Sequence, residues 1–265
     1  MRVFISADIE GIATTALWDQ ASKTGWGYDA ACRQMTAEVT AACEGARAAG
    51  ADRIRVKDAH GSGTNLIPEL LPRYVELTRA SCGSPWSMVY GIDEGFDAAM
   101  FVGYHCAAGR NGNPLSHTET KATTAVRING KKCSEFQLYS WAAATAGVPS
   151  VLLAGDQMLC DDSASLHPSL ITVPVKRGFG GLTTCLHPEE ACCRIRAGAE
   201  KALRQDFRGK LPRLPDHFVF EVSYKEQTAA VRASSFPGFV LTDDNTVRME
   251  TDRYWDVLTA VVWVL

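Results

Sequence analysis

The chain has 265 residues, of which 46% are hydrophobic and 22% charged, and a formal net charge of -3. That balance excludes a disordered or fibrous chain and supplies enough apolar material for one large α/β domain or two smaller lobes. No dense Lys/Arg run offers a surface for nucleic acid, and the longest strongly apolar stretch, Val257 to Leu265, is far short of the roughly 20 residues that cross a bilayer.

In chain order, Val3-Phe4-Ile5-Ser6-Ala7 is a short apolar run that stops at Asp8 and Glu10, as a buried strand ending in a loop does. Carboxylates this early interrupt any signal-peptide apolar region, so no secretion signal is expected. The nine cysteines are odd in number and form no C-x-x-C pair, which suits a reducing, cytoplasmic compartment. From Tyr28 to Ala49 the apolar spacing of Met35, Val39, Ala42 and Ala46 predicts a helix, with Gly50 as its stop. Ile54 and Val56 then mark a strand running into Asp58-Ala59-His60-Gly61, which completes a βαβ unit. Ala98 to Gly103 is a further buried strand leading into Tyr104-His105. Ser134 to Ala146 reads as a helix with Ser134 as N-cap, which puts Glu135 in its first turn.

Ser150 to Ala154 gives another strand, ending at Gly155-Asp156, and Ile171 to Val175 one whose end, Lys176-Arg177, is expected to be solvated. A helix over Glu189 to Gln205 is followed by a Pro-rich hinge, Leu211 to Pro215, and by β-like pieces at Phe218 to Val222, Phe239 to Leu241 and Thr246 to Met249. The expected fold is therefore α/β, a mainly parallel sheet flanked by helices over residues 1–210, with a smaller C-terminal α+β lobe over residues 211–265.

Three predicted strands deliver metal-capable groups just beyond their C-terminal ends: Asp8 and Glu10, His60, and His105. In parallel α/β sheets that edge is where ligands gather. Carboxylates and imidazoles together suit zinc, manganese or iron, and one carboxylate can bridge two ions. Each group alone is ordinary, since a D-x-E at a strand end or a lone loop histidine is usually only hydrogen-bonded. Their convergence makes a two-metal centre the sharper reading. Asp58 either orients His60 or caps its loop, and Asn65 reads as a turn residue in a Gly-rich segment.

The strings Ala7-Asp8-Ile9-Glu10-Gly11-Ile12, Lys57-Asp58-Ala59-His60-Gly61, Gly103-Tyr104-His105, Leu115-Ser116-His117-Thr118, Ile128-Asn129-Gly130 and Ser134-Glu135 together resemble the D-aminopeptidase family in order and spacing. The resemblance implies two zinc ions per chain held by Asp8, Glu10, His60, His105 and Glu135, with His117 as an additional catalytic histidine. It implies removal of N-terminal, D-configured residues from short peptides or aminoacyl amides, and ring-like homo-oligomers such as decamers. The chain departs from the pattern at Gln157, where a second acidic residue is expected after Asp156, and at Cys106 after His105. Two other readings remain open: a different two-metal hydrolase, acting on non-peptide amides or phosphoesters, and a non-catalytic peptide-binding protein of the same fold.

Overall fold

The computed structural model describes residues 1–167 and 169–265. It opens on the expected βαβ unit: β1 (Arg2–Ala7), α1 (Tyr28–Ala48) and β2 (Arg53–Asp58). Helix α1 closes where Gly50 adopts a φ of 93°, which lets the Ala51 N–H reach back to the Ala46 carbonyl at 3.0 Å. There follow β3 (Val75–Thr78), β4 (Ala98–Tyr104), β5 (Thr123–Ile128), β6 (Lys131–Lys132), α2 (Glu135–Thr145), β7 (Ser150–Asp156), α3 (Gln157–Ser163), β8 (Ile171–Phe179), β9 (Leu182–Cys185) and α4 (Pro188–Arg204). The chain ends with β10 (Phe218–Tyr224), α5 (Gln227–Ser234), β11 (Val240–Asp243), β12 (Thr246–Thr251) and α6 (Tyr254–Val264).

Seven strands form one sheet in the order β3-β2-β1-β4-β7-β8-β9, parallel throughout except for the final β8–β9 hairpin. Every residue of β4 and β7 is buried, the expected state of central parallel strands covered on both faces. Alternation along β1 sorts its side chains: Val3, Ile5 and Ala7 join the core under α1 and α4, while Phe4 joins the core under α2. Phe101 of β4 meets Phe136 of α2 edge-on at 5.0 Å, and burying a side chain of this size contributes roughly 1.5–3 kcal/mol. That packing fixes α2, and with it Glu135, against the sheet.

The second sheet is antiparallel, in the order β11-β12-β10-β5-β6. It draws β5 and β6 from the first half of the chain, pairing β5 with β10 and β6 with β5, so this sheet is not confined to the residues after 210. Helix α6 lies between this sheet and α2, pinned by the Tyr254 hydroxyl donating to the Leu138 carbonyl at 2.6 Å. Among the described residues no helix is long and apolar enough to cross a membrane.

Candidate metal centre

The site forms where the loop after β1 crosses the end of β4. Asp8 N–H bonds the Val102 carbonyl at 2.8 Å and Gly11 N–H bonds the Gly103 carbonyl at 2.7 Å. So close a crossing requires glycine on both sides: a Cβ on Gly11 would lie 1.9 Å from the Tyr104 carbonyl oxygen, and one on Gly103 would lie 2.0 Å from that of Asp8. The two glycine-containing motifs thus set the distance between the Asp8–Glu10 loop and His105. His60 follows β2, the other neighbour of β1, and Glu135 opens α2, whose N-cap Ser134 accepts from the Gln137 N–H at 3.2 Å.

All five strand-end and helix-start residues meet. His60 Nδ1 lies 3.3 Å from Asp8 Oδ1 and 2.9 Å from Glu10 Oε2. His105 Nε2 lies 3.5 Å from Asp8 Oδ2 and 3.2 Å from Glu135 Oε2. Asp8 therefore turns one oxygen to each histidine. His117 joins from the loop between β4 and β5, its ring stacked on that of His105 at 4.4 Å and 7°, with Nε2 3.6 Å from Glu135 Oε1. Trp18 closes over it edge-on at 5.2 Å.

The three imidazoles share one wiring. Each commits one nitrogen to a backbone carbonyl: His60 Nε2 to Ala21 at 2.7 Å, His105 Nδ1 to Cys106 at 3.1 Å, and His117 Nδ1 to Leu115 at 2.9 Å. A carbonyl only accepts, so that nitrogen carries a hydrogen, and the other, turned to the carboxylates, either offers its lone pair to a bound cation or takes up a proton itself. Lone pair against carboxylate is repulsive unless a cation lies between them. In keeping with this, Asp8 Oδ2, Glu10 Oε2 and His105 Nε2 are buried without any hydrogen-bond partner.

Electrostatics point the same way. Burial pushes the His60 and His105 rings toward neutrality, but the Glu10, Glu135 and Asp8 carboxylates outweigh it and push them up to about 12 and about 10 respectively. Burial likewise opposes ionisation of Asp8 and Glu135, yet the neighbouring histidines hold both below the usual carboxylate range. The pocket demands positive charge, and its oxygen and imidazole donors fit zinc. Among the described residues, two groups have ligand atoms within 4.8 Å of one another: Asp8, Glu10 and His105; and His105, His117 and Glu135.

The surroundings amend several expectations. Asp58 caps its loop, accepting from the N–H groups of Asn65 and Leu66 at 2.6 and 2.7 Å, while the backbone of Ala21 takes the hydrogen of His60. Asn65 is buried, donating to Asp58 and to the His60 carbonyl, and so shapes the loop from behind. Lys176 is not a solvated strand end: only 4% exposed, its ammonium donates to the Glu10 and Thr15 carbonyls. Burial depresses it to about 8 against the attraction of the nearby carboxylates. Gln157 is exposed and bonds Asp161 on its own helix at 2.8 Å, and the Cys106 thiol lies 3.0 Å from the Ser116 hydroxyl behind the His117 loop.

Two residues that sequence reasoning missed share a cavity of about 310 Å³ with Asp8, His60, His117 and Glu135: Lys57 and Glu119. Lys57 donates to the Asp58 and Ala80 carbonyls. Glu119 has a φ of 61°, bonds Glu135 Oε1 through its backbone N–H at 2.6 Å, and accepts the Tyr139 hydroxyl at 2.6 Å. The only sequence signal was its place two residues after His117.

Known proteins share this architecture. The chain is 27% identical to the D-aminopeptidase of Bacillus subtilis (strain 168) over 99% of its own length and 96% of the relative's. Its structure superposes with a TM-score of 0.91 and 25% identity on the Zn-dependent D-aminopeptidase DppA from Bacillus subtilis, a self-compartmentalizing protease, covering 100% of this chain and 96% of that one. The family model described as D-aminopeptidase (M55 peptidases) matches residues 1–263, and the chain belongs to that family.

Proposed function

We propose that the protein is a zinc aminopeptidase that holds two ions per chain with Asp8, Glu10, His60, His105 and Glu135 and removes N-terminal D-amino acids from short peptides or aminoacyl amides. The observation that carries this reading is the set of three buried, unpartnered donor atoms on Asp8, Glu10 and His105, in a pocket whose charges call for a cation. Zinc, when bound, supplies Lewis acidity for the scissile carbonyl and brings the pKa of water close to neutral.

This chain's own residues do the rest. The Leu115 carbonyl keeps the hydrogen of His117 on Nδ1, leaving Nε2 to take a proton from the attacking water and pass it to the leaving amine. Trp18 and the stacked His105 ring hold that imidazole in one orientation and keep bulk water from its faces. Ala21, Cys106 and Leu115 fix the three tautomers without adding charge.

The test is elemental analysis of loaded protein together with paired D- and L-aminoacyl amides and a phosphoester. Two zinc ions with turnover of D-aminoacyl amides are expected. One ion or fewer, or turnover of the phosphoester alone, would overturn the reading. Homo-oligomer formation belongs to the same proposal, supported by Trp263 on α6, 73% exposed at the end of an apolar helix. Light scattering that finds a monomer across working concentrations would remove it. Nine free cysteines support a reducing, cytoplasmic location.

A further inference from the structure

An aminopeptidase must distinguish a peptide's free amino end from every internal amide, and at neutral pH that end is usually an ammonium. A carboxylate placed beside the reacting groups, and not itself consumed by them, is the natural receptor. Glu119 meets this description. It lines the cavity shared by His60, His117 and Glu135, yet, unlike the carboxylates of Asp8, Glu10 and Glu135, it forms no ion pair with a histidine among the described residues. Its Oε1 accepts the Tyr139 hydroxyl at 2.6 Å, and no other donor among the described residues meets the carboxylate.

The anchoring is stiff. Tyr139 is fully buried and lies one turn beyond Glu135 on α2, while the Glu119 N–H is bonded to Glu135 itself at 2.6 Å. The carboxylate is thereby referenced to the same helix that carries a proposed zinc ligand. Its backbone adopts a φ of 61°, a left-handed conformation that glycine or asparagine would adopt at less cost, and such outliers gather where a side chain must be aimed. The cavity's lysine does not answer the charge, because Lys57 is turned to the Asp58 and Ala80 carbonyls. Glu119 forms no ion pair among the described residues, and burial beside the Glu135 carboxylate pushes its acid up to about 8, so a cation brought against it is what favours its ionised form.

We infer that Glu119 is the receptor for the substrate's free α-ammonium group, so that it determines the enzyme's specificity for unblocked amino ends. The inference rests on the aminopeptidase reading above and deepens it. With the ammonium at Glu119 and the scissile carbonyl at the zinc-binding residues, two substituents of the first residue's α-carbon are fixed, so its configuration decides which way the side chain points. N-acylated peptides, which lack the positive charge, are refused.

The experiment compares D-alanine with propionate, which has the same carboxylate and chain but no ammonium, by calorimetry on zinc-loaded protein. Wild type is expected to prefer D-alanine. Glu119→Gln keeps an acceptor for Tyr139 and removes the charge, and it should lose about 10- to 100-fold of that preference at unchanged zinc content. Glu119→Asp, which keeps the charge on a shorter arm, should restore part of it, and KM for D-aminoacyl amides should rise in Glu119→Gln more than kcat falls. Because the ratio is taken within each variant, general damage to the fold cancels. Equal preference in wild type and Glu119→Gln overturns the inference. So does no preference in wild type, or loss of zinc in step with loss of binding, which would make Glu119 a ligand. Wild-type protein that binds D-alanine through Glu119 but cleaves no aminoacyl amide would instead overturn the proposed reaction alone.

Discussion

His105 and His167 are both buried, 0% and 4% exposed, and each has one ring nitrogen with no hydrogen-bond partner. They nevertheless sit in opposite fields. At the end of β4, carboxylates surround His105 and push its ring up to about 10 despite burial. Between α3 and β8, His167 meets the Ser140 hydroxyl at 2.9 Å and the edge of Phe136, and burial pushes it down to about 4. Burial of a histidine therefore does not mark a functional site. What marks one is whether the unpartnered nitrogen has anionic company, because only then does the pocket favour a cation.

The strongest way to break the contrast is to remove the carboxylate that serves both sides. Asp8→Asn keeps the shape but leaves His60 and His105 each short of a charge that lies 3.3 and 3.5 Å away. Activity should fall by more than the roughly 10- to 100-fold typical of residues behind the ligands, with zinc lost on elemental analysis. Full metal and full turnover would remove Asp8 from the centre. His117→Ala should come next, losing on the order of 10² to 10⁴ in kcat while both ions stay. Since His117 shares a converging group with His105 and Glu135, parallel loss of metal would reassign it as a ligand.

Lys176→Met sharpens the contrast from behind the site. The variant retains the buried stem but withdraws an ammonium from the Glu10 and Thr15 carbonyls, each of which then loses a partner at about 1–3 kcal/mol. Thermal unfolding should show the cost, and zinc affinity should weaken about 10- to 100-fold because Glu10 loses its backing. An unchanged metal titration would show that the loop after β1 is held by the glycine crossing alone.

These residues also show what could be read in the sequence. A central parallel strand is a continuous apolar run, so β1, β4 and β7 announce themselves, and the acid or histidine that ends such a run stands out. Ser134 before Glu135 signals a helix start equally well. By contrast, β5 reads Thr-Thr-Ala-Val-Arg-Ile, half polar, and its partner β10 lies far along the chain, so neither strand predicts the pairing. Lys176 looks solvated because the carbonyls that bury it belong to residues 10 and 15. Glu119 depends on a backbone angle and on Tyr139, neither of which leaves a local pattern. The strand ends that carry the proposed ligands are written locally, whereas the groups that surround them, Lys176 and Glu119, are placed by contacts across the fold.

The smallest effect at neutral pH concerns His167, and it tests the other half of the comparison. Ser140 donates to the Gln137 carbonyl at 3.3 Å, so its oxygen accepts from His167 Nε2 and the unpartnered Nδ1 carries the lone pair. Protonating Nδ1 would bury a charge with no acceptor. The folded-state pKa is therefore lowered, from 6.5 to about 4, and the sign follows: the unfolded chain takes up the proton first as pH falls. Stability from the neutral ring is complete above about 6.5 and is lost progressively toward 4, amounting to about 2 kcal/mol at pH 5. His167→Gln places an amide donor near the Nε2 position and cannot titrate, so it should lose less stability than wild type between pH 7.5 and 5 by that amount. Because the residue lies away from the cavity, turnover at pH 7.5 should be unchanged. Urea unfolding at the two pH values reads the difference directly, and parallel losses in the two proteins would mean that His167 is protonated in the folded chain and that the contrast with His105 is wrong.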